Sequence, residues 1–356
     1  MSKYRGQNIF KATSLSDISD AIIKHREKTQ AKNRWDFSTL LQLQSESFVY
    51  HQTMATALTQ LTQATQVRPP ELNCTLLKLE DINIELHEWS QLKSTEILLI
   101  SDDNAFIACY SRMEKIQRGY LPKLGMVDFG QFSDESGRNV KVALMRHERG
   151  TMETQMTVKN AADVLHPKVT LLVGICETMK PKMAKLGDVV ISAKLATYDG
   201  MKFRSDGTVE YPGPKPHVSR NMARLILSAA DGWKPPLKDP DSFKVEVHRK
   251  ALMLSGSDSI ENKKILNDIK NNFPDALVIE IGGIGLYKAA HDLKMEWSII
   301  KGVSDLAGGS DLEEVANLWK QFASVMATSV VHNTFKCPIV LQDWPHCKES
   351  EDIQSM

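Results

Sequence analysis

Four carboxyl groups stand directly after apolar segments of this sequence: Asp102, Asp103, Glu177 and Asp305. Apolar segments of this kind become buried strands, and a side chain just beyond such a strand can lie in a protected site. Burial raises the pKa of a carboxyl group, and a group tuned in this way can donate or accept a proton near neutral pH. The residue types therefore point to acid–base chemistry, or to recognition of a polar ligand.

Short apolar runs begin near residue 95, and they predict the strands that would position these groups. The predicted strands are Ile97–Ser101, Val140–Arg146, Val169–Ile175, Asp188–Ser192, Val245–Leu254, Ala276–Ile281 and Trp297–Val303. Amphipathic stretches between several of them predict helices: Thr157–Leu165, Ser219–Ala229, Asn262–Asn271, Gly285–Leu293 and Leu312–Phe335. Strands that alternate with helices indicate the α/β class. In open α/β sheets ligands bind beyond the carboxyl ends of the strands, which is where the four acids stand.

The first part of the chain has apolar residues at helical spacing and little of the strand pattern, and we predict a small helical region there. A helix is expected after Ser14, and another from about Phe37 to Gln66, where Pro69 and Pro70 would end it because proline lacks the backbone donor. The predicted domains are a helical N-terminal region, an α/β domain and a polar tail, at 1–92, 93–340 and 341–356.

Composition excludes several classes of protein. The 356 residues are 42% hydrophobic and 25% charged, which is an ordinary globular balance. Lys plus Arg equals Asp plus Glu, with 44 of each, so no overall field attracts the chain to nucleic acid or to an acidic membrane. We read no signal peptide and no membrane-spanning run. Five scattered cysteines indicate no disulfide framework, and hence a cytoplasmic protein. No metal-binding histidine pair is present, and we predict neither a metal nor a cofactor.

Five segments in colinear order resemble the purine/uridine phosphorylase and nucleosidase superfamily. They are VTLLVGICETMKPKMAKLGDVVIS (169–192), DGTVEYPGPKPHVS (206–219), LSGSDSI (254–260), EIGGIGLYKAA (280–290) and KGVSDLAGG (301–309). The resemblance spans about 95–340 and extends to large members that carry an extra helical region. It implies a three-layer α/β/α sandwich around a mixed central sheet, in a homo-oligomer.

This resemblance also implies chemistry, namely cleavage of the N-glycosidic bond of a nucleoside. One acid protonates the leaving base, one carboxylate grips the ribose hydroxyls, and another activates water unless phosphate is the nucleophile. Asp305, which follows Ser304, matches the acid. Aspartate at such a place can instead cap the following turn.

Several working positions of the family are altered in this chain. Gly282 stands where the family's ribose-binding glutamate belongs, with replacement by Glu280, two residues earlier, as the less favoured alternative. Ala105 stands at the water-activating glutamate. Asp102 or Asp103 is the candidate substitute base, with Asp103 preferred, and the alternative is that both acids are solvated turn residues. Leu172 replaces an arginine that holds phosphate in the phosphorylases, so phosphorolysis is disfavoured.

The remaining candidate positions would contact the substrate. By the resemblance they are Ser304, Ile281, Ile260, Gly174, Thr151 and Glu177. Ile260 and Ile281 fit places where the family sandwiches the base, although apolar residues at strand ends are usually core. Glu177 replaces a family glycine, and a bulkier residue there would narrow or reshape the pocket.

Three functional hypotheses follow. The first is a catalytically degenerate member that binds a purine nucleoside or nucleotide in a sensing, scaffold or regulatory role, with a protein partner on residues 1–90. The second is an active hydrolase in which Asp305 is the acid and Asp103, Glu177 or Glu153 replaces the missing carboxylates. The third is an oligomerisation module whose pocket is filled.

Overall fold

The structure is a computed structural model that describes residues 68–88, 95–206, 208–260, 262–309 and 313–347. These residues belong to one compact unit, Val67–Met356, of the two into which the chain divides. The helices predicted before residue 67 lie outside the described residues. The segment 68–88 has one short 3-10 helix, Leu79–Asp81. Isolated bridges join Leu72 to Leu237 and Leu86 to Arg118, so this segment packs on the α/β unit.

Eleven strands are present in the described part of the chain. They are β1 (Ile97–Ser101), β2 (Glu114–Leu121), β3 (Gly125–Ser133), β4 (Asn139–Arg146), β5 (Val169–Thr178), β6 (Val189–Thr197), β7 (Lys202–Phe203), β8 (Val209–Glu210), β9 (Val247–Gly256), β10 (Ala276–Ile281) and β11 (Glu296–Leu306). All seven predicted strands are found. β1 and β10 have the predicted bounds, whereas β5 and β11 each run three residues further than predicted.

The nine strands other than β7 and β8 form one mixed sheet in the order β10-β9-β6-β11-β5-β1-β4-β3-β2. The four adjacent strands β4, β1, β5 and β11 are parallel to one another. Their carboxyl ends therefore meet at one edge of the sheet. β5 is buried along almost its whole length, as its continuous apolar sequence predicts for a strand covered on both faces.

One half of the sheet closes on itself. β11 pairs with β6, β6 with β9, and β9 with β10. β10 then pairs back to β5 in antiparallel register, with Ile279 opposite Glu177. Since β5 also pairs with β11, five strands make a closed ring, and both edges of β10 are used.

Six helices in the described residues cover the sheet. They are α1 (Asp103–Arg112), α2 (Thr151–Leu165), α3 (Arg220–Leu227), α4 (Lys263–Asn272), α5 (Gly283–Asp292) and α6 (Glu313–Phe335). α1 packs with α6, and α2 packs with α5, while each of the two pairs also packs on the sheet. The predicted α/β fold with a mixed central sheet is confirmed.

α6 approaches the sheet closely because Gly302 of β11 lies beneath it. A Cβ built on Gly302 would lie 2.0 Å from the backbone oxygen of Ala323. The long helix is apolar over most of its length, as the pattern of its buried residues shows. Among the described residues, none of the helices is long and apolar enough to cross a bilayer.

Candidate active site

A cavity of about 600 Å³ opens at the carboxyl ends of β5, β10 and β11. Five of the residues predicted from the sequence line it: Glu177, Ile260, Ile281, Ser304 and Asp305. The structure therefore brings these five residues together at the strand ends. Asp102, Arg149, Glu280, Lys301 and Lys320 add charges to the cavity lining.

Glu177 and Asp305 are opposite each other on the neighbouring parallel strands β5 and β11. The register shifts between Val303 and Asp305, so a bulge stands just before the acid. Such bulges re-aim side chains next to functional sites. Ser304 Oγ donates a hydrogen bond to Asp305 Oδ2 at 2.5 Å, which fixes the orientation of that carboxyl group.

The Glu177 carboxyl group has unusual acidity. Burial, reinforced by the neighbouring Asp305 carboxylate, raises the pKa of Glu177 to about 7, although Arg149 and Lys320 act in the opposite direction. A charged neighbour of the same sign makes ionisation of a buried carboxyl group more difficult. Near neutral pH Glu177 is therefore partly protonated, and it can donate or accept a hydrogen bond in the cavity.

Asp102 is held in its ionised form. Its Oδ2 accepts hydrogen bonds from Arg149 Nε at 2.9 Å and from Arg149 Nη2 at 2.7 Å. Burial works against ionisation, but the charges of Lys301 and Arg149 outweigh it and hold the pKa of Asp102 below its ordinary value. Asp102 Oδ1 also accepts the Ala105 N–H at 3.2 Å at the start of α1. This carboxylate is thus committed to Arg149 and to the helix.

A second ion pair lies deeper in the cavity. Lys301 Nζ is 3.5 Å from Glu280 Oε2, and both residues are almost fully buried. Gly174 makes room for this lysine, because a Cβ at that position would lie 2.8 Å from Lys301 Nζ. Glu280 Oε1 accepts the N–H of Gly283 at 3.0 Å, so the same side chain stabilises the first turn of α5.

The two positions that depart from the family pattern provide no carboxylate in the structure. Ala105 is fully buried in the first turn of α1. Gly282 precedes α5 in the left-handed region, with φ of 99°. A Cβ at Gly282 would lie 2.5 Å from Thr154 Oγ1. Both the backbone conformation and the space available therefore favour glycine at this position.

Three of the predicted site residues do not line the cavity. The side chain of Asp103 is 78% exposed and lies 3.4 Å from Arg146 Nη1, on the outside of the first turn of α1. Thr151 is the first residue of α2, and its hydroxyl accepts a hydrogen bond from Ser257 Oγ at 3.3 Å. Gly174 lies beneath Lys301, as described above. Asp103 is therefore poorly placed to be a base, because a helix begins where the sequence suggested an open turn.

Sequence reasoning missed the structural roles of Lys301 and Arg149. Lys301 is the first residue of the KGVSD segment. A lysine inside an apolar strand needs a buried negative partner, so its position in the sequence could have indicated an ion pair. Arg149 pairs with Asp102, and Arg146 lies over the Phe106 ring at 4.1 Å. Burial and the charge of Lys301 lower the pKa of His147 to about 4.

Proteins of known activity resemble this chain over part of its length. A death domain-containing ATP nucleosidase from Amphimedon queenslandica is 26% identical over 197 residues, which are 52% of this chain and 36% of that protein. The chain thus matches little more than a third of that relative. A 5'-methylthioadenosine/S-adenosylhomocysteine nucleosidase from Maridesulfovibrio salexigens is 24% identical over 180 residues, which are 50% of this chain and 74% of that protein.

Solved structures share the fold. The 5'-methylthioadenosine/S-adenosylhomocysteine nucleosidase of Colwellia psychrerythraea, in complex with adenine, superposes with a TM-score of 0.55 at 16% identity, over 68% of this chain and 95% of that one. The sequence pattern of the phosphorylase superfamily matches residues 129–332, which is more than half of the chain. That region contains β4 to β11 and most of the cavity lining. The chain therefore belongs to the phosphorylase superfamily.

Proposed function

We propose that this domain binds a purine nucleoside or nucleotide in the cavity and has lost efficient cleavage of the N-glycosidic bond. The observation that carries the proposal is a contrast between the residues that line the cavity and the positions at which the family supplies its carboxylates. The acid Asp305 is present and oriented by Ser304, while Ala105 and Gly282 provide no carboxylate. Each catalytic acid or base contributes two to four orders of magnitude in rate. The absence of such groups should therefore lower the rate of bond cleavage far more than the affinity for the ligand.

The Glu177–Asp305 pair supports a preference for adenine among the purines. A protonated Glu177 carboxyl beside the oxygens of Asp305 presents a donor beside an acceptor. Adenine offers an N7 acceptor beside an N6 amino donor, whereas guanine offers two acceptors, N7 and O6. The ATP nucleosidase and the 5'-methylthioadenosine/S-adenosylhomocysteine nucleosidase that this chain resembles act on compounds that contain adenine, which agrees with this preference. A sensing, scaffold or regulatory role would follow from binding without turnover, and residues 1–90 are the proposed surface for a protein partner.

An incubation experiment tests the proposal. Purified protein is mixed with adenosine, methylthioadenosine, inosine, AMP or ATP, free base is followed by chromatography, and the melting temperature is recorded. We expect no base release, together with a rise in melting temperature for at least one adenine compound. A ligand at one hundred times its Kd stabilises the folded state by about 2.7 kcal/mol. Base release that Asp305→Asn abolishes would overturn the loss of activity.

That last outcome would favour a second candidate, an active nucleosidase with rearranged carboxylates. The observation behind it is that Glu177 lies opposite Asp305 in the cavity. Burial there raises the pKa of Glu177 to about 7, which suits a general acid or base working near neutral pH. In this alternative Asp305 protonates the base and Glu177 activates water. Glu177→Gln would then abolish release as completely as Asp305→Asn does. Homo-oligomerisation and a cytoplasmic location remain predictions, and light scattering on the purified protein tests the first.

A further inference from the structure

The ion pair of Glu280 and Lys301 has bonding capacity that its protein contacts leave open. Glu280 Oε1 accepts the Gly283 N–H, but Glu280 Oε2 is buried and has no hydrogen-bond partner among the residues that the structure describes. Lys301 Nζ, at 3.5 Å, is beyond the usual range of a hydrogen bond. A buried carboxylate oxygen without a hydrogen bond costs free energy, and buried polar atoms nearly always have a partner. Glu280 Oε2 therefore points to a group that the protein itself does not supply.

Both side chains line the same cavity as Asp305. Lys301 precedes Asp305 by four residues on β11, and Glu280 follows Ile279, which is opposite Glu177 in the ring of strands. Glu280 and Lys301 are 4% and 3% exposed, whereas Glu177 and Asp305 are only partly buried. The cavity thus has an acid pair near its opening and an ion pair at greater depth.

We propose that Glu280 and Lys301 form a hydroxyl-binding site that takes the sugar diol of the bound nucleoside. A hydroxyl group is both a donor and an acceptor. It can donate to Glu280 Oε2 and accept from Lys301 Nζ, which gives the buried oxygen a partner and uses one of the three lysine donors. The site replaces the carboxylate that is missing at Gly282, using a glutamate two residues earlier that lines the cavity. This inference rests on the proposed nucleoside binding.

Calorimetric titration of the whole chain with four probes tests this site. The probes are adenine, adenosine, 2′-deoxyadenosine and 2′,3′-dideoxyadenosine. A site that pairs a buried charge with a ligand hydroxyl rejects ligands that lack the hydroxyl, because the charge is left unpaired. We expect the dideoxy compound to bind at least about tenfold more weakly than adenosine. Equal affinities of adenosine and the dideoxy compound would overturn the inference, and would assign Glu280 Oε2 to solvent instead.

Substitutions test whether the preference for the sugar hydroxyls arises from Glu280. Glu280→Gln keeps an acceptor for the Gly283 N–H and removes the negative charge, so it should weaken adenosine about tenfold and leave adenine unchanged. Glu296→Gln is the matched control, because Glu296 Oε2 is also buried without a partner but lies at the opposite end of β11. It should leave the binding of all four probes as in the wild type. A loss of adenine binding equal to the loss of adenosine binding in Glu280→Gln would overturn a specific role in sugar recognition.

A double variant covers the case in which Glu280→Gln fails to fold because Lys301 is left as an unpaired buried charge. Glu280→Gln with Lys301→Gln removes both charges. It should bind adenosine and the dideoxy compound with equal affinity while still binding adenine, and retained discrimination would overturn the site. If the wild type binds neither adenine nor adenosine, the proposed function itself fails. If it binds adenine and adenosine equally well, only the sugar site fails.

Discussion

Glu177 and Asp305 are cross-strand neighbours whose carboxyl groups share one cavity. This relationship predicts a specific dependence of stability on pH. The pKa of Glu177 is about 7 in the folded protein against an ordinary value of 4.5, so between these two values the folded state holds a proton that the unfolded state releases. The free energy of unfolding should therefore fall as pH rises from about 4.5 to 7, and this contribution should level off above pH 7.

Urea denaturation from pH 5 to pH 8 checks this dependence. Glu177→Gln should remove part of the slope and should be more stable than the wild type at pH 8. Glu135→Gln, in an exposed turn, is the control and should leave the slope unchanged. A slope that is identical in the wild type and Glu177→Gln would contradict the acidity assigned to this pair.

Asp305→Asn tests recognition of the base. The substitution replaces the carboxyl group with a neutral amide of nearly the same size. If the Asp305 carboxyl contacts purine N7, affinity for adenine and adenosine should fall together by about tenfold to a hundredfold, because hydrogen bonds to charged groups contribute about 1.5–3 kcal/mol. Calorimetry measures both affinities, with Asp275→Asn, on an exposed loop, as the control. An unchanged affinity for adenine would remove Asp305 from the base site.

Gly282→Ala tests whether the backbone at this position tolerates any side chain, which a restored carboxylate would require. We expect the substitution to lower the free energy of unfolding by about 1–3 kcal/mol, since a side chain in the left-handed region is strained and its Cβ would press on Thr154. Gly125→Ala is the matched control, with φ of 77° and no atom within 4 Å of the added carbon. It should lose less stability than Gly282→Ala in the same denaturation assay. Equal losses would mean that Thr154 moves aside freely.

Asp188 supports the loop that follows Glu177. Its carboxylate accepts the N–H groups of Lys185 at 3.0 Å and Glu246 at 2.9 Å, and lies 3.1 Å from His248 Nε2. Asp188→Ala leaves these donors unsatisfied and should lower the free energy of unfolding by at least about 2 kcal/mol. Asp188→Asn keeps one acceptor and should lose less. Thermal and urea unfolding compare the two, and equal stability of Asp188→Ala and the wild type would rule out this support.

The sequence predicted the buried strands well because a strand covered on both faces is a continuous apolar run. β1 and β10 match their predicted bounds for that reason. β5 and β11 were predicted too short because polar residues such as Glu177 and Asp305 continue the strand hydrogen bonding into the cavity. The apolar sequence pattern identifies residues that are buried in the core. It does not extend to strand ends whose side chains are polar because they face a cavity.

Other elements escaped the sequence pattern for different reasons. β2 reads EKIQRGYL and is largely exposed at the end of the sheet, so it lacks the apolar run of a central strand. The sequence predicts a turn at Asp102 and Asp103 because both residues are acidic, whereas in the structure α1 begins at Asp103. The pairing of Glu280 with Lys301 could not be predicted, because it depends on β10 and β11 both pairing with β5, and sequence spacing carries no information on that closure.

The ring of strands that closes through the β10–β5 pairing also bears on how this domain can change over time. Backbone hydrogen bonds hold the ring together whatever side chains face the cavity. Residues at the rim can therefore be exchanged one by one, even when the exchange removes a reactive group, with little risk to folding. A fold of this kind can be retained after a catalytic activity is lost, and it can then serve to bind a ligand. The same tolerance of substitutions makes it suitable for the engineering of new ligand sites.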